Sequence, residues 1–207
     1  MIRLALPKGR NLEPAVAALR RAGLDLDGFG AADRRLWVAV PGGFEVLLLK
    51  DWDLPLYVEY GVADLGVVGS DVLDEAGGDL LVPVRLTDGG CRMSLIGRRP
   101  ELPGPGEQVR LATKYPRTAR RLVARRTWGA EIVALSGSIE LAPLLDLADL
   151  ALDIVQTGRT LADNGLLELE TVAQVAPSLV INRASFQRHR STLNDLIGRL
   201  EAAGVAR

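Results

Sequence analysis

The sequence is that of an α/β protein. Short apolar runs rich in Val, Leu and Ile recur along it, each bounded by Gly, Pro, Asp or Ser, and segments with helical spacing lie between many of them. A first strand is expected at Ile2–Leu6, followed by a helix over Leu12–Ala22. Pro14 falls in its first turn, where a missing N–H removes a donor that has no intrahelical partner. Leu36–Val40 and Glu45–Leu49 read as strands, then Leu54–Tyr60 as a helix, Leu65–Val68 as a strand and Ser70–Glu75 as a helix. Leu81–Arg85 and Arg92–Ile96 are further strands. Arg110–Ala112, Glu131–Ala134 and Leu150–Val155 each lead into a helix, at Pro116–Arg126 (again opened by proline), Ile139–Leu147 and Thr160–Asn164. A last strand, Ser178–Asn182, precedes a helix over Phe186–Ala203. Its Leu193, Leu196, Ile197 and Leu200 form an i, i+3, i+4, i+7 stripe for a core, which leaves Arg188, Arg190 and Arg199 to water.

The segment Arg98–Glu107, with Pro100, Pro103, Gly104, Pro105 and Gly106, is too rich in breakers for a regular element and reads as a crossing between domains. A return near Ser178–Arg183 then divides the chain into residues 1–98 plus 179–207 as one α/β lobe and 99–178 as a second. The chain has no internal repeat and no low-complexity tract.

Composition narrows the function. At 207 residues, 48% hydrophobic and 25% charged, the chain can bury a core without disulfides or metal staples. Lys plus Arg is 25 against 26 for Asp plus Glu and aromatics are 4%, which argues against a nucleic-acid binder with a basic face and stacking rings. The one cysteine, Cys91, has no partner for an internal disulfide, and no run approaches the ~20 apolar residues that span a bilayer. The opening MIRLALPKGR lacks a signal-peptide pattern, so a cytoplasmic location is expected. Lysine occurs only at Lys8, Lys50 and Lys114; the arginine bias among the other cations is read as genomic base composition before function.

Three strand-to-helix junctions can carry chemistry, because unpaired N–H groups there bind anions and ligands of open α/β sheets lie at the carboxyl ends of strands. Pro7-Lys8-Gly9-Arg10 combines two cations with a glycine that lets backbone approach an anion, and Asn11 is a candidate helix cap; a solvated loop tip is the alternative. Ser136-Gly137-Ser138 precedes Ile139-Glu140, with Ser138 as a candidate cap. A nucleophilic serine there would need a base, and the only histidine, His189, sits in an arginine-rich helix and reads as a surface residue, so a Ser-His-Asp hydrolase is rejected. The third junction is the most specific: Asp153 interrupts an apolar strand that runs into Gln156-Thr157-Gly158-Arg159-Thr160. The N–H groups of a glycine turn and two threonine hydroxyls suit a 5′-phosphate, and a nearby carboxylate suits a pair of ribose hydroxyls. A buried Asp153 without such a partner would be costly, and an ordinary capped turn is the alternative.

The chain as a whole resembles the ATP phosphoribosyltransferases. The stretches that carry the resemblance are Leu4–Arg10, Asp53–Leu73, Cys91-Arg92, Leu111–Pro116, Ser136–Leu144, Leu147–Leu166 and Leu179–Ser185, in family order. The resemblance implies two lobes like those of type II periplasmic binding proteins, with the active site in the interlobe cleft. It also implies the first reaction of histidine biosynthesis, in which N1 of the adenine of ATP displaces pyrophosphate from C1 of phosphoribosyl pyrophosphate. Asp153 then meets the ribose hydroxyls, and Thr157, Gly158, Arg159 and Thr160 the 5′-phosphate. Lys8, Arg34 and Lys50 are the implied catalytic cations for pyrophosphate and the ATP phosphates, with Arg34 and Arg35 not ranked. Gly9, Arg10, Lys114, Ser138 and Glu140 are candidates near ATP. No metal ligands are expected from the protein, since Mg2+ would ride on substrate phosphates.

The resemblance is to the short form, which implies a homodimer joined by a separate regulatory subunit similar to histidyl-tRNA synthetase. The sequence departs from the family at Asp146, where a glycine is usual, at Ala151, where a branched residue is usual, and at Lys50, where arginine is frequent. The rival reading of the same architecture is a two-lobed small-molecule binding protein without catalytic activity.

Overall fold

The alternation of strand and helix sorts into two sheets. The structure, a computed structural model, describes residues 1–26 and 35–203. In chain order the first unit holds β1 (Ile2–Lys8), α1 (Leu12–Arg21), β2 (Trp37–Val40), β3 (Phe44–Lys50), α2 (Leu54–Glu59), β4 (Leu65–Gly69), α3 (Ser70–Ala76) and β5 (Leu80–Arg85). The second unit holds β6 (Cys91–Gly97), β7 (Gln108–Thr113), α4 (Pro116–Val123), β8 (Gly129–Ala134), α5 (Leu141–Leu144), β9 (Leu150–Val155), α6 (Arg159–Asp163) and β10 (Leu167–Val175). The chain then returns to the first unit as β11 (Pro177–Asn182), α7 (Arg183–Arg188) and α8 (Arg190–Ala202).

The first sheet has the order β2-β3-β1-β4-β11-β5, with β1 parallel to β3 and β4 and the other pairs antiparallel. Its central strands are buried on both faces. Leu4 and Leu6 of β1 pack with Leu19 of α1 and Leu193, Leu196 and Leu200 of α8, while Ala5 between them turns to Leu54 and Val58 of α2. That is the two-residue period of a strand covered by helices on either side. A fully buried leucine contributes about 1.5–3 kcal/mol, so the stripe expected on the last helix anchors the C-terminal part of the chain to this unit. The second sheet has the order β10-β6-β9-β7-β8, with β7 parallel to β8 and β9. Ile96, Ala112, Ile139, Ala151, Val155 and Leu161 belong to one of its cores.

Several expectations change. The units divide at Gly90/Cys91 and Val175/Ala176, not at 98/99 and 178/179. Strand β6 pairs with β9 and β10, so the Pro/Gly segment at 98–107 is a loop inside the second unit and the crossings are the short turns beside β6 and β11. Residues 167–175, given no element from the sequence, form β10, an edge strand with two register shifts whose Glu168, Glu170 and Gln174 dilute the apolar pattern. The helix expected at Ile139–Leu147 shrinks to Leu141–Leu144, closed off by Asp146 at φ 57°. The expected last helix breaks at His189, whose φ of −116° separates α7 from α8. His189 is half-buried there, with Nε2 4.0 Å from Asp64, and is not the plain surface residue expected. Cys91 is buried and forms no disulfide. Among the described residues no helix is long and apolar enough to cross a membrane.

Candidate active site

In the first unit the parallel strands β3, β1 and β4 lie side by side and end at Lys50, Lys8 and Gly69. Lys8 and Lys50 are direct partners in the register and both are exposed. Two lysines level on adjacent strands bring like charges near one another, a repulsion that an anion between them would offset. Gly9 follows at φ +97°, with open space where a side chain would stand, so backbone is presented there unscreened.

Arg10 is differently placed. Its Nη2 donates to Asp71 Oδ2 at 2.9 Å, and the Asp71 side chain is 1% exposed, so part of the guanidinium fork is committed to holding the loop onto α3. Asn11 makes no side-chain cap; it is buried, with Nδ2 3.5 Å from Asp51 Oδ2. Gly69 makes this packing possible, because a Cβ there would lie 2.2 Å from Asp71 Oδ1. Arg34 lies outside the described residues; Arg35 is exposed just before β2.

In the second unit the carboxyl ends of β9, β7 and β8 are likewise adjacent. They lead into the Gln156–Gly158 turn, Lys114 and the Ser136–Glu140 loop. Thr113 is level with Leu152, so Lys114 follows alongside Asp153. Thr113 fixes this corner: buried, its hydroxyl donates to Leu152 O at 2.8 Å and accepts from Tyr115 N at 2.9 Å.

Gly158 takes φ +79°, the left-handed conformation that a turn presenting successive N–H groups requires, and Arg159 N donates to Thr157 Oγ1 at 3.3 Å. The helix that follows is only five residues long, so an anion placed here would rest on the turn's own N–H groups more than on a helix dipole. Thr157, Arg159 and Thr160 are exposed, and Arg159 pairs with Asp163 at 3.7 Å. Asp153 is half-buried and its Oδ1 accepts from Ile154 N at 2.8 Å. Asp153 therefore needs no ligand to offset its desolvation, and it stands two residues before the end of the strand that leads into the glycine turn.

A cavity of about 190 Å³ opens beside this turn, lined by Glu140, Gln156, Thr157, Gly158 and Thr160 among others. Glu140 and the threonine turn, far apart in sequence, thus share one wall. Ser138 is exposed at φ 51° and caps no helix with its side chain, since α5 starts only at Leu141. A larger cavity of about 580 Å³ lies at the opposite edge, beside Arg98, Pro103, Gln108 and Asp149, where β7 and β9 begin. Amino ends of parallel strands are the wrong edge for the ligand crevice of such a sheet, and no candidate residue lies there.

A marked electrostatic feature lies on residues to which the sequence assigns no role. Arg92 of β6 grips the Glu168 carboxylate with Nε and Nη2, while Ser94 Oγ donates to the same carboxylate at 2.7 Å and Thr171 Oγ1 at 3.3 Å. These donors hold the Glu168 carboxyl at about 2, well below the usual carboxylate range, against the opposing effect of burial. Arg92 also donates through Nη1 to Gln156 O at 3.2 Å. The adjacent Cys91-Arg92 pair was the only sequence signal, and Glu168 gave none because its strand was unassigned.

Fold and geometry together define an α/β protein of two units whose parallel strand ends present cations in one and a phosphate-type turn in the other. Residues 50–202 match the family model described as ATP phosphoribosyltransferase. An ATP phosphoribosyltransferase of Thermus thermophilus is 48% identical over 95% of this chain and 94% of its own length; one of Sorangium cellulosum is 45% identical over 97% and 94%. Among solved structures, the ATP phosphoribosyl transferase (HisG:HisZ) complex from Thermotoga maritima aligns with TM-score 0.81 and 32% identity over 98% of this chain and 97% of that one. The periplasmic aliphatic sulphonate binding protein SsuA from Escherichia coli aligns with TM-score 0.59 at 11% identity, over 98% of this chain and 72% of that one, a likeness of fold alone. The chain belongs to the ATP phosphoribosyltransferase family, and with that it is a pentosyl-transferring enzyme of histidine biosynthesis, not a solute receptor.

Proposed function

We propose that Asp153 accepts the ribose hydroxyls of phosphoribosyl pyrophosphate and that Thr157, Gly158, Arg159 and Thr160 bind its 5′-phosphate. The observation that carries this reading is the left-handed Gly158 turn between exposed threonine hydroxyls at the carboxyl end of β9. The level pair Lys8 and Lys50, with Gly9 between strand and helix, receives pyrophosphate and the ATP phosphates. Arg34 is retained for the same role from the resemblance. Arg10 acts mainly by bracing that loop through Asp71. Lys114, Ser138 and Glu140 flank the nucleotide, with Glu140 on the wall of the phosphate cavity.

The reaction makes a bond from N1 of adenine to C1 of the ribose as the bond from C1 to pyrophosphate breaks. Positive charge grows on the sugar and negative charge on the leaving diphosphate, so the residues act by alignment and by stabilising the leaving group. The attacking nitrogen carries a free lone pair, and no side chain has to remove a proton first. Magnesium would neutralise the diphosphate; among the described residues no three His, Cys, Asp or Glu side chains come together to hold an ion, and a cation on phosphate oxygens that keeps most of its waters needs none.

The chain acts as a homodimer that assembles with a regulatory subunit similar to histidyl-tRNA synthetase, as the short-form resemblance implies; the high overlap with a chain from a HisG:HisZ complex supports the presence of a second kind of subunit. The assignment of the sugar site is tested by Asp153→Asn, which keeps size and removes charge. Calorimetry should show affinity for phosphoribosyl pyrophosphate falling by about tenfold or more, the worth of a hydrogen bond to a charged group. Unchanged affinity would remove Asp153 from the site.

A further inference from the structure

We infer that Arg92 and Glu168 are positioning residues for the phosphate turn: Glu168 clamps the Arg92 guanidinium so that its remaining nitrogen fixes the Gln156 carbonyl and thereby aims the Thr157 N–H at the ligand. The inference rests on the proposed role of the Thr157–Thr160 turn.

The geometry starts from the strands. Arg92 is level with Val155, the last residue of β9, so its side chain emerges where the turn leaves the sheet. The guanidinium lies under that turn: its Nη2 is 3.7 Å from the place where a Cβ on Gly158 would stand. Its Nη1 donates to Gln156 O at 3.2 Å. In a planar trans peptide the C=O of one residue and the N–H of the next point in opposite directions. A Gln156 carbonyl held toward Arg92 therefore turns the Thr157 N–H away from Arg92, out of the turn. One hydrogen bond thus sets the direction of the first donor in the proposed phosphate cradle.

An unsupported arginine could not hold that direction, because its long stem has many rotamers. Here Nε and Nη2 are both gripped by Glu168, and a planar fork seated on a carboxylate has one orientation. Glu168 is fixed in turn by Ser94 and Thr171, and the register shifts of β10 fall directly beside it, between Glu168 and Glu170 and between Thr171 and Ala173. Bulges of this kind re-aim a side chain out of the regular pleat. The Ser94 hydroxyl is wholly buried under the same strand pair, and Ser94 is level with Asp153. The clamp is therefore continuous with the strand that carries the proposed ribose ligand.

The alternative role for Arg92 is as a charge that attracts the phosphate directly, and the two roles differ in sign. Glu168→Gln raises the net charge beneath the turn by one and releases the fork. A charge role predicts tighter phosphoribosyl pyrophosphate binding in that variant; a positioning role predicts looser binding.

The test uses the full chain with phosphoribosyl pyrophosphate and magnesium, measuring Kd by calorimetry and KM for both substrates in the presence of the regulatory subunit. Glu168→Gln should weaken phosphoribosyl pyrophosphate by about tenfold, the scale of one misdirected hydrogen bond to a charged group, with KM for ATP within twofold of wild type. Arg92→Lys, which keeps the charge and loses the fork, should show the same split and should not rescue binding. Ser94→Ala, a smaller change that keeps the ion pair, provides the readout if Glu168→Gln does not fold and should raise the KM for phosphoribosyl pyrophosphate alone. Equal affinity in all three variants, tighter binding in Glu168→Gln, or equal losses for both substrates would overturn the inference. Failure of the wild type to bind phosphoribosyl pyrophosphate would instead overturn the site reading on which it rests.

Discussion

A single methyl group at Gly69 isolates the contribution of the Arg10–Asp71 pair, whose carboxylate is buried. Gly69 has φ −64° and ψ 140°, a conformation that alanine adopts without strain, so Gly69→Ala acts through contact alone. The new Cβ would stand 2.2 Å from Asp71 Oδ1, 3.3 Å from Asp71 Cγ and 3.2 Å from Asn11 Nδ2. The carboxylate must retreat by about 1 Å to reach an ordinary contact, which it cannot do while keeping the 2.9 Å bond to Arg10. Losing one partner of a fully buried pair costs about 3–5 kcal/mol. Arg10 is 31% exposed and can follow Asp71 part of the way, which lowers the expected loss to about 2 kcal/mol.

At this chain length that loss corresponds to a drop in Tm of roughly 4–8 °C. Chemical and thermal unfolding measure it, and a double-mutant cycle assigns it. In an Asp71→Ala background the added methyl meets no carboxylate, so the cost of Gly69→Ala should fall to within about 0.5 kcal/mol of zero. The same cost in both backgrounds, or no cost in the wild-type background, would refute the steric argument and with it the bracing role of Arg10.

Three other outcomes follow from the structure. Lys50→Arg should remain active while Lys50→Met loses on the order of a hundredfold in kcat if, as proposed, the place level with Lys8 supplies a cation to the leaving group; equal turnover in wild type and Lys50→Met removes Lys50 from the mechanism. Asp146, at φ 57°, should accept glycine with a change under about 0.5 kcal/mol, whereas Asp146→Val should lose about 1–2 kcal/mol in urea unfolding, because a β-branched residue is an outlier in that region; equal stability of both variants would show that the turn is not left-handed in solution. Glu168, with its carboxyl at about 2 in the folded chain, contributes stability that is fully present above its unfolded value near 4.5 and is lost as pH falls toward 2. Its shift corresponds to roughly 3 kcal/mol, or about 1–2 after allowance for a side chain 23% exposed, so the destabilisation by Glu168→Gln should be that large at pH 6 and less than half as large at pH 3; a pH-independent loss would contradict the clamp.

What was legible in the sequence follows from what each signal measures. Strands such as β4 (Leu65–Gly69) are buried on both faces, so their apolar runs are unbroken and their ends are marked by the turn residues that follow. β10 escaped because an edge strand faces water along one side and admits Glu168, Glu170 and Gln174, which leaves no period to read. The Pro/Gly segment at 98–107 misled for a related reason: breakers mark the end of an element and are silent on whether the next element joins the same sheet. Only the pairing of β6 with β9 decides that. Asp146 shows the reverse case, in which a departure from the family acquires a physical reason. Its backbone is left-handed, the conformation that favours glycine, and aspartate is among the few other residues that tolerate it; its carboxylate is then taken up by Arg98.

Motifs name the residues that would touch a ligand, because those must have particular chemistry at particular spacing along one turn. They do not name the residues that aim them, because the aiming is done across strands. Thr157, Gly158 and Thr160 are contiguous and were found from their order alone, yet the direction of the Thr157 N–H depends on Arg92, which lies 64 positions from Gln156, and on Glu168, which lies 76 positions from Arg92. The first unit repeats the division of labour. Lys8 and Gly9 stand in the motif, while the loop that carries them is braced by Asp71, 61 positions from Arg10, and by the absence of a side chain at Gly69. In both units the group proposed to meet an anion is local in sequence and its support is not. Substitutions at the supports should therefore change affinity for one substrate while leaving every residue of the recognisable motif in place.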